Sequence, residues 1–351
     1  MANTKTNKKS QKPKAKGKGR LVTVIILCSV VLGCFAAGAA YVMKPHRGGT
    51  KWIYIPGGAT ERSVSDSIVC ALGQDEANRV TTIMKMIGNN PSVAHGAYKI
   101  TDGQSAWTTA RNISRGRQTP VKVTWNNVRT MGQMAESVAG KLEFSADDFL
   151  LACQAELEPE GYDRATMPAA FIPDSYEFYW STGAEDVVKK LHSYQTKFWN
   201  EERLAQAKML GLTPNEVATI ASIVEEETSK ADERPKVARL YLNRLANGMP
   251  LQADPTVKFA IGDFSIRRIT NEMLRTPSPY NTYKNPGLPP GPIRIAAKST
   301  LEAVLEAPQH NYLYMCAKED FSGYHNFAED YNTHLANARR YQAELDRRNI
   351  H

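Results

Sequence analysis

Cysteine is scarce. The 351 residues hold five, of which Cys28 and Cys34 fall within one apolar run, while Cys70, Cys153 and Cys316 lie far apart and are odd in number. That spacing offers neither a disulfide framework nor a zinc motif, so small buried apolar side chains are the default expectation for them. A glycine-rich phosphate loop is also missing, as are internal repeats, which removes P-loop chemistry and solenoid architectures. Acidic residues are absent from residues 1–20, where eight Lys/Arg stand alone. The chain has 44 basic and 36 acidic residues, and removing those eight leaves 36 against 36. The net charge of +8 therefore belongs to the tail and gives no ground for a nucleic-acid partner.

Residues 21–43 carry no charge. At 1.5 Å per residue this run is long enough for a hydrocarbon core of roughly 30 Å. The basic tail before it predicts a cytoplasmic N-terminus with everything after Lys44 outside. Two rival readings exist. A cleaved signal peptide has an h-region of about 7–15 residues, shorter than this run, although Ala37-Gly38-Ala39 mimics a cleavage site. A lipid-attachment reading of V-L-G-C ending at Cys34 is opposed by the apolar residues that continue beyond it.

Past a short linker, the pattern predicts a small α+β module at residues 50–155. Its strands are expected at 51–56, 97–100 and 121–125, with helices at 64–72, 77–87, 106–114, 131–141 and 146–153. A connecting segment, F-I-P-D-S-Y-E-F-Y-W, concentrates aromatics at 171–180. It serves either as core packing at a domain junction or as a platform for a sugar. One long helix is expected over 184–211. Helices at 213–228 and 234–248 come after it, the second burying Val237, Leu240, Tyr241 and Leu245 and closed by Gly248. Proline-rich loops come next, then a helix at 299–307, a buried strand at 312–317 and a charged terminal helix at 331–348. The fold class is α+β, with one N-terminal transmembrane helix.

The segment T-P-N-E-V-A-T-I-A-S-I-V-E-E-E-T, residues 213–228, concentrates the chemistry. Thr213 fits the N-cap, Pro214 the first turn, and Glu216 stands three residues on. At 100° per residue, Val217, Ile220, Ala221 and Val224 form one apolar stripe. The wheel puts Glu226 opposite the stripe, in water, Glu225 well off it, and Glu227 at the edge of the buried face. Desolvation there raises a carboxyl pKa, which suits a general acid near neutral pH. The same position also fits a solvated helix end or an Arg-paired carboxylate.

The strings A-S-I-V-E-E-E-T, E-R-P-K-V-A-R-L-Y-L-N-R-L, G-M-P-L-Q-A-D-P-T-V and Y-N-T-Y-K-N-P-G-L-P-P-G-P-I occur in that order, with Y-L-Y and H-N-F after them. Together they resemble the endolytic murein transglycosylase family, also called MltG or YceG-like, best over residues 171–334. The resemblance implies a membrane span, a LysM-like module at 50–155 and a catalytic domain at 156–351 facing the periplasm from the inner membrane. The family's catalytic glutamate is the second acid of an E-x-E-T string, which maps onto Glu227. Glu225 is the fallback should the helix be rotated. Glu226 stands where the family usually has Lys, and repulsion among three adjacent acids would help Glu227 hold its proton.

The resemblance further implies a lytic transglycosylase that cuts between N-acetylmuramic acid and N-acetylglucosamine and leaves a 1,6-anhydro end. It implies glycan strands as substrate, wall-synthesis or division proteins as partners, and no metal, nucleotide or redox cofactor. Gln252, Asp254 and Thr256, on a turn set by Pro250 and Pro255, and Asn281 and Tyr283, on a turn after Pro279, are candidate sugar contacts. They serve equally well as loop-holding groups. Two alternatives stay open: a hydrolase with Glu227 as acid and Asp254 as base, and a non-enzymatic peptidoglycan-binding scaffold.

Overall fold

The computed structural model describes residues 17–266 and 268–348. The basic tail lies mostly outside the described residues. The chain divides into two compact units, Met1–Thr119 and Pro120–His351.

The first unit opens with α1 (Gly17–Met43), whose segment Arg20–Met43 is long and apolar enough to cross a membrane. Its 24 residues span about 36 Å, and its apolar side chains are exposed along the length. Cys28 and Cys34 are exposed on it. Next come β1 (Lys51–Ile55), α2 (Glu61–Leu72), α3 (Gln74–Ile87), the single turn α4 (Pro91–Ala94), β2 (Gly96–Ile100) and α5 (Ala106–Ser114). β1 and β2 pair antiparallel, with Ile53 opposite Tyr98. Their inward residues Ile53, Ile55, Tyr98 and Ile100 meet Val64, Ile68, Val80, Ile83 and Ile113 from the helices in one core. The period-2 and period-3.6 patterns therefore point at the same interior. Cys70 is exposed on α2, contrary to the expectation that it would be buried; it falls two residues past Ile68, off the buried stripe.

The second unit begins with β3 (Val121–Thr124), expected as part of the small module. It pairs instead with β4 (Ser175–Phe178), Val123 opposite Tyr176. The expected boundary near 155 is therefore replaced by one between Thr119 and Pro120, because a strand goes with whatever completes its ladder. The helices α6 (Met131–Ala139) and α7 (Ala146–Leu157) lie between the two strands in sequence. Of the aromatic segment, Phe171, Tyr176 and Phe178 are core residues, with Tyr176 stacked on Trp125 at 4.9 Å. Tyr179 is exposed.

The expected long helix is two, α8 (Ala184–Phe198) and α9 (Glu201–Met209). Asn200 breaks the run by capping the second, its side chain accepting from Arg203 N. Then come α10 (Pro214–Glu227) and α11 (Arg234–Ala246). The proline-rich stretch contains a helix, α12 (Asp254–Ile261), with Pro255 in its first turn. α13 (Lys298–Leu305), the antiparallel pair β5 (Tyr314–Ala317) and β6 (His325–Ala328), and α14 (Tyr331–Arg347) complete the unit. β5 is half-buried rather than buried.

α10 is the centre of this unit. Every residue from Val217 to Val224 is buried, where the helical wheel implied one dry stripe. α9, α11, α12 and α13 surround it. Its aliphatic side chains, Val217, Ile220, Ile223 and Val224, are wholly enclosed, each contributing about 1.5–3 kcal/mol. Its two hydroxyls are satisfied locally: Thr219 Oγ1 donates to Asn215 O, and Ser222 Oγ donates to Thr219 O while accepting from Ile293 N.

Candidate functional site

The start of α10 is fixed by a capping box: Thr213 Oγ1 accepts from Glu216 N, and the Glu216 carboxylate accepts from Thr213 N at 2.7 Å. Its C-terminal turn delivers three glutamates into three environments. Glu225 Oε2 accepts from Ala297 N and Thr300 Oγ1, both at 2.8 Å, and Oε1 lies 3.1 Å from Arg294 Nη2. Glu226 accepts from Arg294 Nη1 at 2.8 Å and takes both Nε and Nη2 of Arg129 at 3.0 Å. Neither side chain is in water, and a helix packed on all sides has no water face to offer them. Both are committed to scaffolding. Their charges are matched by buried Arg294 and by Arg129, so the expected repulsion on Glu227 is not what perturbs it.

Glu227 goes elsewhere. It is partly buried and lines a cavity of about 350 Å³ together with Tyr241 and Arg244 of α11, Gln252, Asp254, Tyr283, Tyr314, His325 and His334. Tyr241 Oη donates to Glu227 Oε1 at 2.6 Å. Burial pushes the Glu227 carboxyl up to about 7; the Tyr241 hydrogen bond opposes this, the Asp254 charge adds to it, and His325 and Lys258 oppose it. Near neutral pH such a group is divided between acid and carboxylate, as a proton-transfer group requires. Tyr241 is held well above its ordinary value by burial and by the adjacent carboxylate, so it donates rather than ionises.

The candidate sugar contacts divide. Gln252, Asp254 and Tyr283 line the cavity beside Glu227; Thr256 and Asn281 line no part of it. Asp254 occupies the first position of α12, and its Oδ1 accepts from Tyr283 Oη at 2.6 Å. Gln252 sits at φ +51°, in the left-handed region that non-glycine residues enter at a cost of about 1–3 kcal/mol. Arg244 holds it there, donating from Nη2 to Gln252 Oε1 and from Nη1 to Leu251 O, both at 2.9 Å. Thr256 is buried, with its hydroxyl on Ala253 O at 2.7 Å and near Thr282 Oγ1 at 2.9 Å. Asn281 is buried too: its Nδ2 donates to Leu274 O and Thr276 O, and its Oδ1 accepts from Tyr283 N. These two residues set the loops that present Asp254 and Tyr283, rather than facing a ligand.

Tyr241, Arg244 and His325 are cavity residues that sequence reasoning misses. Tyr241 reads in the sequence as one more core residue of the α11 stripe. The signal is its hydroxyl, since a buried tyrosine in an aliphatic stripe needs a hydrogen-bond partner. Among the described residues no cluster of three or more His, Cys, Asp or Glu has metal-binding geometry.

Known proteins share much of this chain. A family model described as the YceG-like family matches residues 53–340. The endolytic murein transglycosylase of Bacillus subtilis (strain 168) is 30% identical over 239 residues, 63% of this chain and 62% of that protein. The protein of the same name from Streptococcus pneumoniae (strain R6) is 30% identical over 179 residues, 49% of this chain and 32% of that one. The chain thus spans less than two thirds of the length of the curated relatives it matches. A crystal structure of a YceG-like protein from Listeria monocytogenes superposes with a TM-score of 0.55 at 23% identity, covering 82% of this chain and 98% of that one, a likeness of fold. The match over most of its length means that the chain belongs to the YceG-like family.

Proposed function

We propose that this protein is a membrane-anchored lytic transglycosylase that cuts within peptidoglycan strands, with Glu227 as its acid. The observation that carries the reading is the Glu227 carboxyl: pushed to about 7 by burial, yet on the wall of a polar and aromatic cavity. Two relatives named endolytic murein transglycosylase, at 30% identity, support the reaction class.

In this mechanism protonated Glu227 donates to the oxygen joining N-acetylmuramic acid to N-acetylglucosamine. An oxocarbenium-like centre develops at C1 of the muramic sugar. The sugar's own C6 hydroxyl attacks C1, closing a 1,6-anhydro ring, and gives its proton to the Glu227 carboxylate left by the first transfer, which restores the acid. The nucleophile is already part of the substrate, so its proximity takes the place of a bound water. Tyr241 orients the Glu227 carboxyl and steadies the carboxylate left after donation. Asp254, itself held by Tyr283, keeps a like charge nearby that favours the protonated acid before the reaction. Gln252, Tyr283 and Tyr314 supply an amide and ring faces for acetamido groups and sugar rings.

α1 serves as the single-pass anchor, with the basic tail on the cytoplasmic side and everything after Lys44 outside the inner membrane. The first unit acts as a LysM-like module that meets the glycan strand, and partners in wall synthesis or division are reached through the shared membrane surface. The test is Glu227→Gln, which is nearly isosteric and cannot donate an acid proton. Strand cutting by the full chain in detergent falls by at least about 100-fold. Undiminished cutting by that variant rejects Glu227 as the acid, and an absence of cutting by the unaltered chain favours the scaffold instead.

A further inference from the structure

The junction between α1 and the rest of the first unit has no slack. Lys44 follows α1 directly, and its main-chain O accepts from Ala106 N at 3.2 Å. Pro45 bridges to Ser105. His46 N donates to Gln104 O at 2.8 Å, and Gly103 N donates to His46 O at 2.9 Å. His46 is buried, with its ring Nδ1 3.0 Å from Glu76 Oε1 and its Nε2 donating to Gly49 O at 2.9 Å. Val42, still inside α1, packs on the core of the unit. A helix tied in this way holds the unit directly, with no tether between them.

That junction fixes a depth. α1 is apolar as far as Met43, and a bilayer adds a headgroup layer of roughly 5–8 Å on each side of its hydrocarbon core. Residues 103–106 are bonded to the first residues beyond α1, so the start of α5 falls within that layer. Trp107 is the second residue of α5 and is 38% exposed. At 100° per residue, Trp107, Thr108, Arg111 and Arg115 share an arc of about 100°, opposite the buried Thr109, Ala110 and Ile113. All four are exposed, as is Arg117 just past the helix. Residues 103–119 contain those three arginines and no acid. Two acids at the junction are engaged: Asp102 Oδ1 accepts from Gly48 N at 3.3 Å, and Glu76 faces His46. The balanced charge beyond the tail thus hides a local excess of cations with an indole at its head. An indole favours the headgroup level, where its ring meets apolar and its N–H polar surroundings. Guanidinium groups bind phosphate oxygens at the same level.

We propose that the exposed face of α5 rests on the membrane surface, with Trp107 in the interface and Arg111 and Arg115 on the phosphates of anionic lipids. The proposal rests on α1 being a membrane anchor. Carboxylates of a peptidoglycan strand share the anionic chemistry, but the face begins one residue from Ala106, which is bonded to the first residue outside α1. Lipid is therefore the anion in reach. The contact sets the orientation of the first unit on the bilayer, where α1 alone sets only its height. Lys44 and Arg47, exposed at the same junction, add to the positive field there.

The experiment places the full chain in vesicles of phosphatidylcholine with phosphatidylglycerol, the same in both leaflets. Tryptophan emission is compared between plain lipids and lipids brominated near the headgroup, since bromine quenches indoles that touch lipid. Emission falls in the brominated vesicles, and at least about half of that fall is lost in Trp107→Phe. Arg111→Glu with Arg115→Glu cuts the quenching about twofold or more, and so does replacing phosphatidylglycerol by phosphatidylcholine for the unaltered chain. The lipid replacement needs no substitution, so it decides the matter should a variant misfold. Quenching in Trp107→Phe equal to that of the unaltered chain overturns the proposal, as does indifference to lipid charge. A Trp107 signal that answers to added glycan strands and not to lipid charge assigns the face to peptidoglycan and also overturns it. A chain that does not float with the vesicles rejects the anchor itself, a separate failure that takes this proposal with it.

Discussion

Tyr241→Phe and Asp254→Asn should move the same titration in opposite directions. The Glu227 carboxyl stands at about 7, with the Tyr241 hydrogen bond holding it down and the Asp254 charge holding it up. Activity that needs protonated Glu227 falls as pH rises through that value. A hydrogen bond to a charged group is worth about 1.5–3 kcal/mol net, and some of it survives with the neutral acid, so its loss raises the carboxyl by about one unit at 1.36 kcal/mol per unit. In Tyr241→Phe the alkaline limb of kcat/KM therefore moves from near 7 to roughly 8. At pH 8 the protonated fraction rises from about a tenth to about a half. The plateau drops, since the carboxyl loses its orienting partner, but the limb still moves outward. Asp254→Asn removes a like charge, and its limb moves to lower pH. The assay is anhydro-end release by the full chain at closely spaced pH values. Limbs that stay put, or that move the same way in both variants, would refute the electrostatic account of Glu227.

The same geometry sets three stability outcomes. A carboxyl raised from 4.5 to about 7 binds its proton more tightly when folded, so its contribution is complete below 4.5 and lost as pH rises through 7, about 3 kcal/mol in all. Glu227→Gln should accordingly melt at a higher temperature than the unaltered chain at pH 8, with the gap narrowing at pH 5. Arg294→Met leaves Glu225 buried without its cation and Glu226 with Arg129 alone, and thermal unfolding should register a loss of about 3–5 kcal/mol. At Gly291 an added Cβ would lie 2.1 Å from Ala165 O, a backbone atom; Gly291→Ala should destabilise by about 1–3 kcal/mol in the same measurement.

The fold is legible in the sequence wherever the signal is local. The capping box that starts α10, Thr213 with Glu216, comes from residues three apart. Asn200 with Glu201 and Glu202 after it is an equally local helix start, hidden inside an otherwise periodic run. Sequence reasoning fails where it must assume what lies on the other side of an element. The helical wheel gives a surface helix a water face, but α10 has none, so Glu225 and Glu226 meet Arg294 and the start of α13 instead. Val121–Thr124 reads correctly as a strand, but its partner lies about fifty residues on. His325 and Glu233 are 92 positions apart, and no periodicity or spacing rule joins residues that only the fold brings together.

The most direct measurement is mass spectrometry of the glycan products released by the full chain and by Glu227→Gln. The account predicts 1,6-anhydro-N-acetylmuramic ends from the unaltered chain, formed from its earliest cuts within strands, and none above background from the variant. Reducing ends carrying an added water would contradict it, and would point to Glu227 and Asp254 acting together as a hydrolytic pair.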